Sequence, residues 1–128
     1  MNAIHWLTEF QSSLLYALAM FFWLLVGHAL CDYPLQGPFL SQAKRRGAVP
    51  DFPWWIALAA HGLIHAGAVG FITGNICLGI AEGVCHFVID KVKCDGHIST
   101  VTDQTLHVAC KIIWVTMAWL YTDGFTHY

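Results

Sequence analysis

Along this chain long apolar runs alternate with short polar breaks, and inside the runs polar residues recur at intervals of four. Leu14 to Cys31 carries no charged side chain and is rich in Phe, Trp and Leu, which predicts a first helix over about 11–34. Pro34, Gly37 and Pro38 end it, and the longest loop follows, a polar connection with Lys44, Arg45, Arg46, Gly47, Pro50, Asp51 and Pro53. Trp54 and Trp55 open a second run reaching Ile72, predicting a helix over about 54–73 with indole rings suited to a headgroup boundary. Thr73-Gly74-Asn75 is a turn signal. The third run, Ile76 to Ile89, makes only about 21 Å of helix against a hydrocarbon core of about 30 Å. It crosses if the helix continues to Lys93, whose side chain can snorkel to the interface, so the predicted helix is about 76–93. Cys94 to Thr102 forms a short polar loop, and Leu106 to Tyr121 gives a fourth helix over about 103–122. The expected fold is all-α, an integral membrane four-helix bundle with short loops, one transmembrane domain over 1–128.

Composition agrees with that class. Hydrophobic residues make up 57% of the 128 positions and charged residues 11%, far from an ordinary soluble domain. A cleaved signal peptide competes for the first run, but Lys and Arg are missing ahead of it and no small-residue cleavage site follows before Asp32. The net charge of −2 and the division of six basic residues between loops give no nucleic-acid surface. Lys44, Arg45 and Arg46 lie between helices one and two, and Lys91 and Lys93 between three and four. The expectation is therefore a membrane protein with loops 35–53 and 94–102 cytoplasmic and both termini on the opposite side. The five cysteines are odd in number, show no C-x-x-C and lie mostly in apolar runs, so they read as reduced core residues.

Candidate chemistry centres on Glu82, His86 and Asp90, which share one helical face. The same spacing recurs at His28 and Asp32, His61 and His65, and Asp103 and His107, and the topology brings all four sets into one leaflet. Ionisable groups in a bilayer cost a few kcal/mol and normally face the bundle interior with partners. Imidazoles and carboxylates on one helix face can reach a single ion, and helical bundles hold di-metal centres with such sets. His28, Asp32, His61, His65, His86, Asp90, Asp103 and His107 are the candidate ligands for one or two divalent transition-metal ions, zinc first, with manganese or iron also suited. Any one pair by itself reads better as a polar contact between helices than as a ligand pair, and Asp103 also reads as an N-cap or first-turn carboxylate. Glu82 and Lys111 lie one turn deeper and form either an ion pair or a catalytic pair in which Glu82 is general base on a metal-bound water. Gln36 and Lys44 are placed to bind substrate oxygens at the site mouth. Paired histidines also suit a haem, against which the interspersed carboxylates argue. His97 in a loop, and His5 and His127 on the far side, are assigned no chemistry.

The segments H-A-L-C-D-Y-P-L-Q at 28–36, Lys44, H-G-L-I-H at 61–65, E-G-V-C-H-F-V-I-D at 82–90 and D-Q-T-L-H at 103–107 resemble a family of small phage and bacterial membrane proteins of unknown function. The likeness covers residues from about 24 to 111 and includes Gln104 among the matching positions. More distantly the chain is similar to membrane-bound metal-dependent hydrolases, which implies hydrolysis, and the phage-type likeness implies an accessory role at the host envelope. Two functions are expected. One is a hydrolase acting on a phosphoester-like or lipid-headgroup substrate at the cytoplasmic leaflet. The other is a non-enzymatic phage-type membrane effector or ion carrier in which the metal is structural or transported. The expected partners are the lipid bilayer, a phosphate-bearing or lipid substrate, and a second copy of the chain, since Gly62, Gly67, Gly70, Gly79 and Gly83 permit close approach within or between chains.

Overall fold

All four prolines fall between residues 34 and 53, so nothing in the apolar runs interrupts the i to i−4 hydrogen-bond ladder. A computed structural model describes residues 3–125. The elements are α1 (Ala3–Asp32), α2 (Gly37–Ala43), α3 (Trp54–Thr73), α4 (Ile76–Cys94) and α5 (Thr100–Phe125), with no strand among the described residues. His127 and the side chain of His5 lie outside what is described.

Three helix ends differ from expectation, each for a local reason. α1 begins at Ala3 instead of about 11, because a helix needs an apolar face only where it is covered and Thr8-Glu9-Phe10-Gln11 offers no breaker. The long connection contains α2, which opens with Pro38 in its first turn, where a fixed φ and a missing N–H cost nothing. α5 starts three residues early because the Ser99 hydroxyl accepts the Thr102 N–H at 3.1 Å, so Asp103 belongs to the first turn and is not the N-cap. The Thr73-Gly74-Asn75 turn forms as expected. Gly74 takes φ 65°, and the Asn75 side chain caps α4 by accepting from Cys77 N at 2.9 Å and Leu78 N at 3.3 Å.

The long helices pack in a closed ring, α1 on α3 and α5, and α4 on α3 and α5. Cross-helix contacts set their directions. Asp32 meets His61 and His65 while Gly27 faces Ile72, and His28 meets Gln104 while Ser13 bonds Trp119. Glu82 meets Lys111 while Asp90 faces His107. Each neighbour therefore runs antiparallel. The α3–α4 seam is closest: a Cβ on Gly79 would sit 2.6 Å from the Ala66 carbonyl oxygen and one on Gly62 would sit 3.0 Å from that of Gly83. Gly67 has nothing within 4 Å and takes no part.

Polarity is arranged inside out. α4 buries Glu82, His86 and Asp90 and exposes Ile76, Ile80, Val84 and Val88. α5 buries Asp103, His107 and Lys111 and exposes Val101, Ile112, Ile113 and Leu120. An apolar plug of Met20, Leu24, Val69, Leu78, Trp114 and Ala118 fills the ring beyond the polar residues. Among the described residues two helices are long and apolar enough by themselves to cross a membrane, Ser13–Asp32 with mean hydropathy 2.0 and Trp54–Thr73 with 1.6. The five cysteines are free; Cys31 is buried, but Cys77 is exposed at the start of α4 and is no core residue.

Candidate metal centre

The i, i+4 spacing on each helix aims its polar pair into the ring, and antiparallel packing brings the pairs to the end that carries the α1–α3 and α4–α5 connections. His61, His65, His86 and His107 are at most 1% exposed, and His28 is 6% exposed. Their rings are stacked closely, 3.5 Å between centroids for His65 and His86 and 4.0 Å for His86 and His107.

Asp32, at the last residue of α1, is the focus of one group. Its Oδ1 lies 3.1 Å from His65 Nε2, 3.2 Å from His61 Nε2 and 3.6 Å from His86 Nε2. These four residues each offer one ligand atom, and the atoms all lie within 4.8 Å of one another. Two ligands on one tetrahedral ion, at bond lengths of about 2.0–2.1 Å, stand about 3.3 Å apart, so the spacing suits a shared ion. Asp90, Asp103 and His107 form a further group by the same measure, as do Glu82, His86 and His107. The chain thus positions His, Asp and Glu side chains to hold metal, and most of them also take part in ion pairs.

Those ion pairs are specific. Lys44 Nζ is 2.5 Å from Asp90 Oδ2, and Lys93 Nζ is 3.4 Å from Asp103 Oδ2. The Gln104 amide nitrogen donates to Asp32 Oδ2 at 2.9 Å and to Asp103 Oδ2 at 3.2 Å, while Gln104 Oε1 lies 3.2 Å from His28 Nε2. Deeper in the ring, Glu82 receives the Lys111 ammonium at 2.5 Å on Oε1 and the Trp114 indole N–H at 2.5 Å on Oε2. The ion pair that the sequence allows between Glu82 and Lys111 is present. Glu82 Oε1 also lies 3.4 Å from His86 Nδ1 and 4.0 Å from His65 Nδ1, the nitrogens opposite those that face Asp32.

Hydrogen bonding leaves several atoms unused. Among the described residues, buried His28 Nδ1, His61 Nδ1, both ring nitrogens of His86 and of His107, and Asp103 Oδ1 have no hydrogen-bond partner. So many unpartnered buried atoms in one place are costly unless a ligand or ion engages them. Above the cluster a cavity of about 330 Å³ is lined by Asp32, Asp90 and Asp103 together with Lys44, Arg45 and Lys93.

All eight candidate ligands come to this one end. Gln36 and Lys44 line the cavity, though Gln36 donates to the Asp32 carbonyl at 3.1 Å and Lys44 is committed to Asp90. Trp114, Arg45 and Lys93 are not among the candidates, and Gln104 enters only through the family likeness. Trp114 lies three residues from Lys111 and Gln104 three before His107, so helical spacing carries a signal for both. Arg45 and Lys93 offered none beyond their charge.

No curated protein and no solved structure matches the chain. A family profile described as "Protein of unknown function (DUF3307)" matches residues 20–128, and the chain belongs to that family.

Proposed function

We propose that the chain is an integral membrane, metal-dependent hydrolase acting on a phosphoester-like substrate at the cytoplasmic leaflet of a bacterial inner membrane. The observation that carries the reading is the convergence of Asp32 Oδ1 with the Nε2 atoms of His61, His65 and His86 beside a cavity that Lys44, Arg45 and Lys93 line. The cavity lining mixes Asp32, Asp90 and Asp103 with Lys44, Arg45 and Lys93, and these basic residues can bond the oxygens of a phosphate held at the ligand set. Zinc suits the mixed imidazole and carboxylate donors best, with manganese or iron as alternatives. An ion held by Asp32, His61, His65 and His86 would supply a bound water of lowered pKa as the nucleophile towards a phosphoester. With its oxygens bonded to Lys111 and Trp114, Glu82 places a fixed negative charge 3.4 Å behind His86 Nδ1, which favours the ring whose Nε2 lone pair faces the ion.

Inside-out polarity supports the membrane part. A water-soluble bundle buries Ile, Val and Leu and exposes Glu, Asp and Lys, whereas α4 and α5 do the reverse. On this reading four helices span, α1 and α3 by long apolar stretches and α4 and α5 by their apolar outward faces. The basic residues of both connections then lie on the cytoplasmic side.

One observation favours a second, non-enzymatic reading. Asp90, Asp103 and Asp32 already have partners in Lys44, Lys93 and Gln104, so the cluster can act as a polar clasp that fastens the helices of a phage-type membrane effector. A carrier is less well supported, because Met20, Leu24, Val69 and Leu78 close the ring beyond Lys111. Elemental analysis of detergent-purified protein, with hydrolysis of bis(p-nitrophenyl) phosphate, separates these readings. The expected result is at least one zinc, manganese or iron ion per chain and hydrolysis that His61→Ala abolishes. Metal without hydrolysis favours a structural ion; a folded, metal-free and inactive wild type ends the hydrolase reading and leaves the clasp.

A further inference from the structure

We infer that the centre holds a second divalent ion, bound by Asp90, Asp103 and His107, beside the one at Asp32, His61, His65 and His86. The inference rests on the metal reading above. The two ligand groups share no residue, and within each the donor atoms lie inside 4.8 Å.

The second group carries its own sign of a missing ligand. His107 Nε2 and Asp103 Oδ1 belong to side chains at most 1% exposed, and neither atom has a hydrogen-bond partner. His107 Nε2 stands 3.5 Å from Asp90 Oδ1 and 3.6 Å from Asp103 Oδ1. Those separations are too long for hydrogen bonds and close to the spacing of about 3.3 Å between two donors on one ion. Burying such atoms unpaired is unfavourable; a cation among them removes the cost.

Asp90 joins the two positions. Its Oδ1 faces His107 on one side and His86 Nε2 at 3.8 Å on the other, while Oδ2 is 3.6 Å from His61 Nε2. A carboxylate so placed can bridge two ions about 3.5–4 Å apart, the separation at which a pair activates water and steadies a leaving oxygen.

Charge balance admits the second ion. Asp32, Asp90 and Asp103 bring three negative charges, Lys44, 7% exposed on Asp90, brings one buried positive charge, and Lys93, part-exposed at Asp103, is screened by solvent. One divalent ion plus Lys44 neutralises the set. Two divalent ions neutralise it once Lys44 turns into the cavity and one hydroxide or substrate oxyanion lies between them. Lys44 therefore stands in for the second ion on Asp90, and it becomes free for a substrate phosphate when that ion binds.

The test uses full-length, detergent-solubilised protein stripped of metal and reloaded with manganese, read by elemental analysis and electron paramagnetic resonance. The expected result is two ions per chain with an exchange-coupled spectrum. Asp103→Asn and His107→Gln, checked for helicity by circular dichroism, should each lower the content to one ion with an isolated six-line spectrum. One uncoupled ion in the wild type overturns the second site and leaves the first standing. No ion overturns both. Two ions without coupling, or variants that retain two, overturn the assignment to Asp90, Asp103 and His107. If both variants fail to fold, the wild-type count and spectrum alone decide.

Discussion

Glu82 sits where the apolar plug meets the histidine cluster and bonds Lys111 and Trp114 at 2.5 Å each with no exposed surface. A buried pair of this kind contributes little net energy while intact and is costly to break from one side, by about 3–5 kcal/mol. Lys111→Met should therefore lower the thermal unfolding midpoint in detergent steeply, and Glu82→Gln combined with Lys111→Met should recover much of the loss. Additive losses would mean that the two residues do not act as a pair. At this scale the sequence was informative about faces and silent about atoms. Helical spacing brings His86 level with His28 and His107 because the backbone alone decides it. Whether Nδ1 or Nε2 turns inward depends on rotamers set by other helices, and Lys44 reaches Asp90 across 46 positions of chain, which no local pattern encodes. Gln104 shows the same limit: its amide ties Asp32 to Asp103, and nothing in D-Q-T-L-H says that α1 will be opposite.

Among the elements, α3 and α4 depend most on small residues. Gly79→Ala would force a methyl to within 2.6 Å of the Ala66 carbonyl oxygen, a backbone atom that cannot rotate away. The helices must part, which we expect to cost about 1–3 kcal/mol and to weaken metal retention, since His61 and His65 are carried by one helix and His86 by the other. Gly67→Ala, with nothing within 4 Å, is the control and should leave both unchanged. Unfolding and metal content measured on the two variants check this. The apolar runs located α3 and α4 well, because Trp54 and the Thr73-Gly74-Asn75 turn bound them sharply. α2 escaped notice because Pro34, Gly37 and Pro38 read as a stop signal, although proline in a first turn equally starts a helix.

At the scale of the whole molecule, four antiparallel helices contribute ligands to one end, so an ion there holds all of them together. Binding to the folded state alone stabilises it by about 2.7 kcal/mol at a hundredfold excess over the dissociation constant. Stripping the metal should lower the unfolding temperature in wild type and leave a His61→Ala variant, already without its first ion, much less affected. Calorimetry with and without a chelator measures this. Orientation has its own check. A cysteine placed at exposed Ser41, in a chain lacking the native cysteines, should resist an impermeant thiol reagent in intact cells and react after permeabilisation; ready labelling in intact cells would invert the proposed topology. The closed ring and its single polar end were largely readable from four matched pairs and the position of the basic loops. The sequence could not show that α4 and α5 turn their charges inward so completely that their outer faces match those of α1 and α3.

The burial of Lys111 against Glu82 also bears on how the chain is made. Synthesis delivers Glu82 and its two neighbouring ligands on α4 before the lysine, 29 positions later, that neutralises the carboxylate. In a membrane setting α4 alone is a poor substrate for insertion, with a charge at mid-depth costing a few kcal/mol. α1 and α3 can enter singly, but α4 must wait at the interface, or against α3 along the glycine seam, until α5 emerges, and the two then enter as a pair. Termination between residues 94 and 110 would strand the Glu82 carboxylate without its lysine, and quality-control proteolysis should remove such fragments far faster than the finished protein.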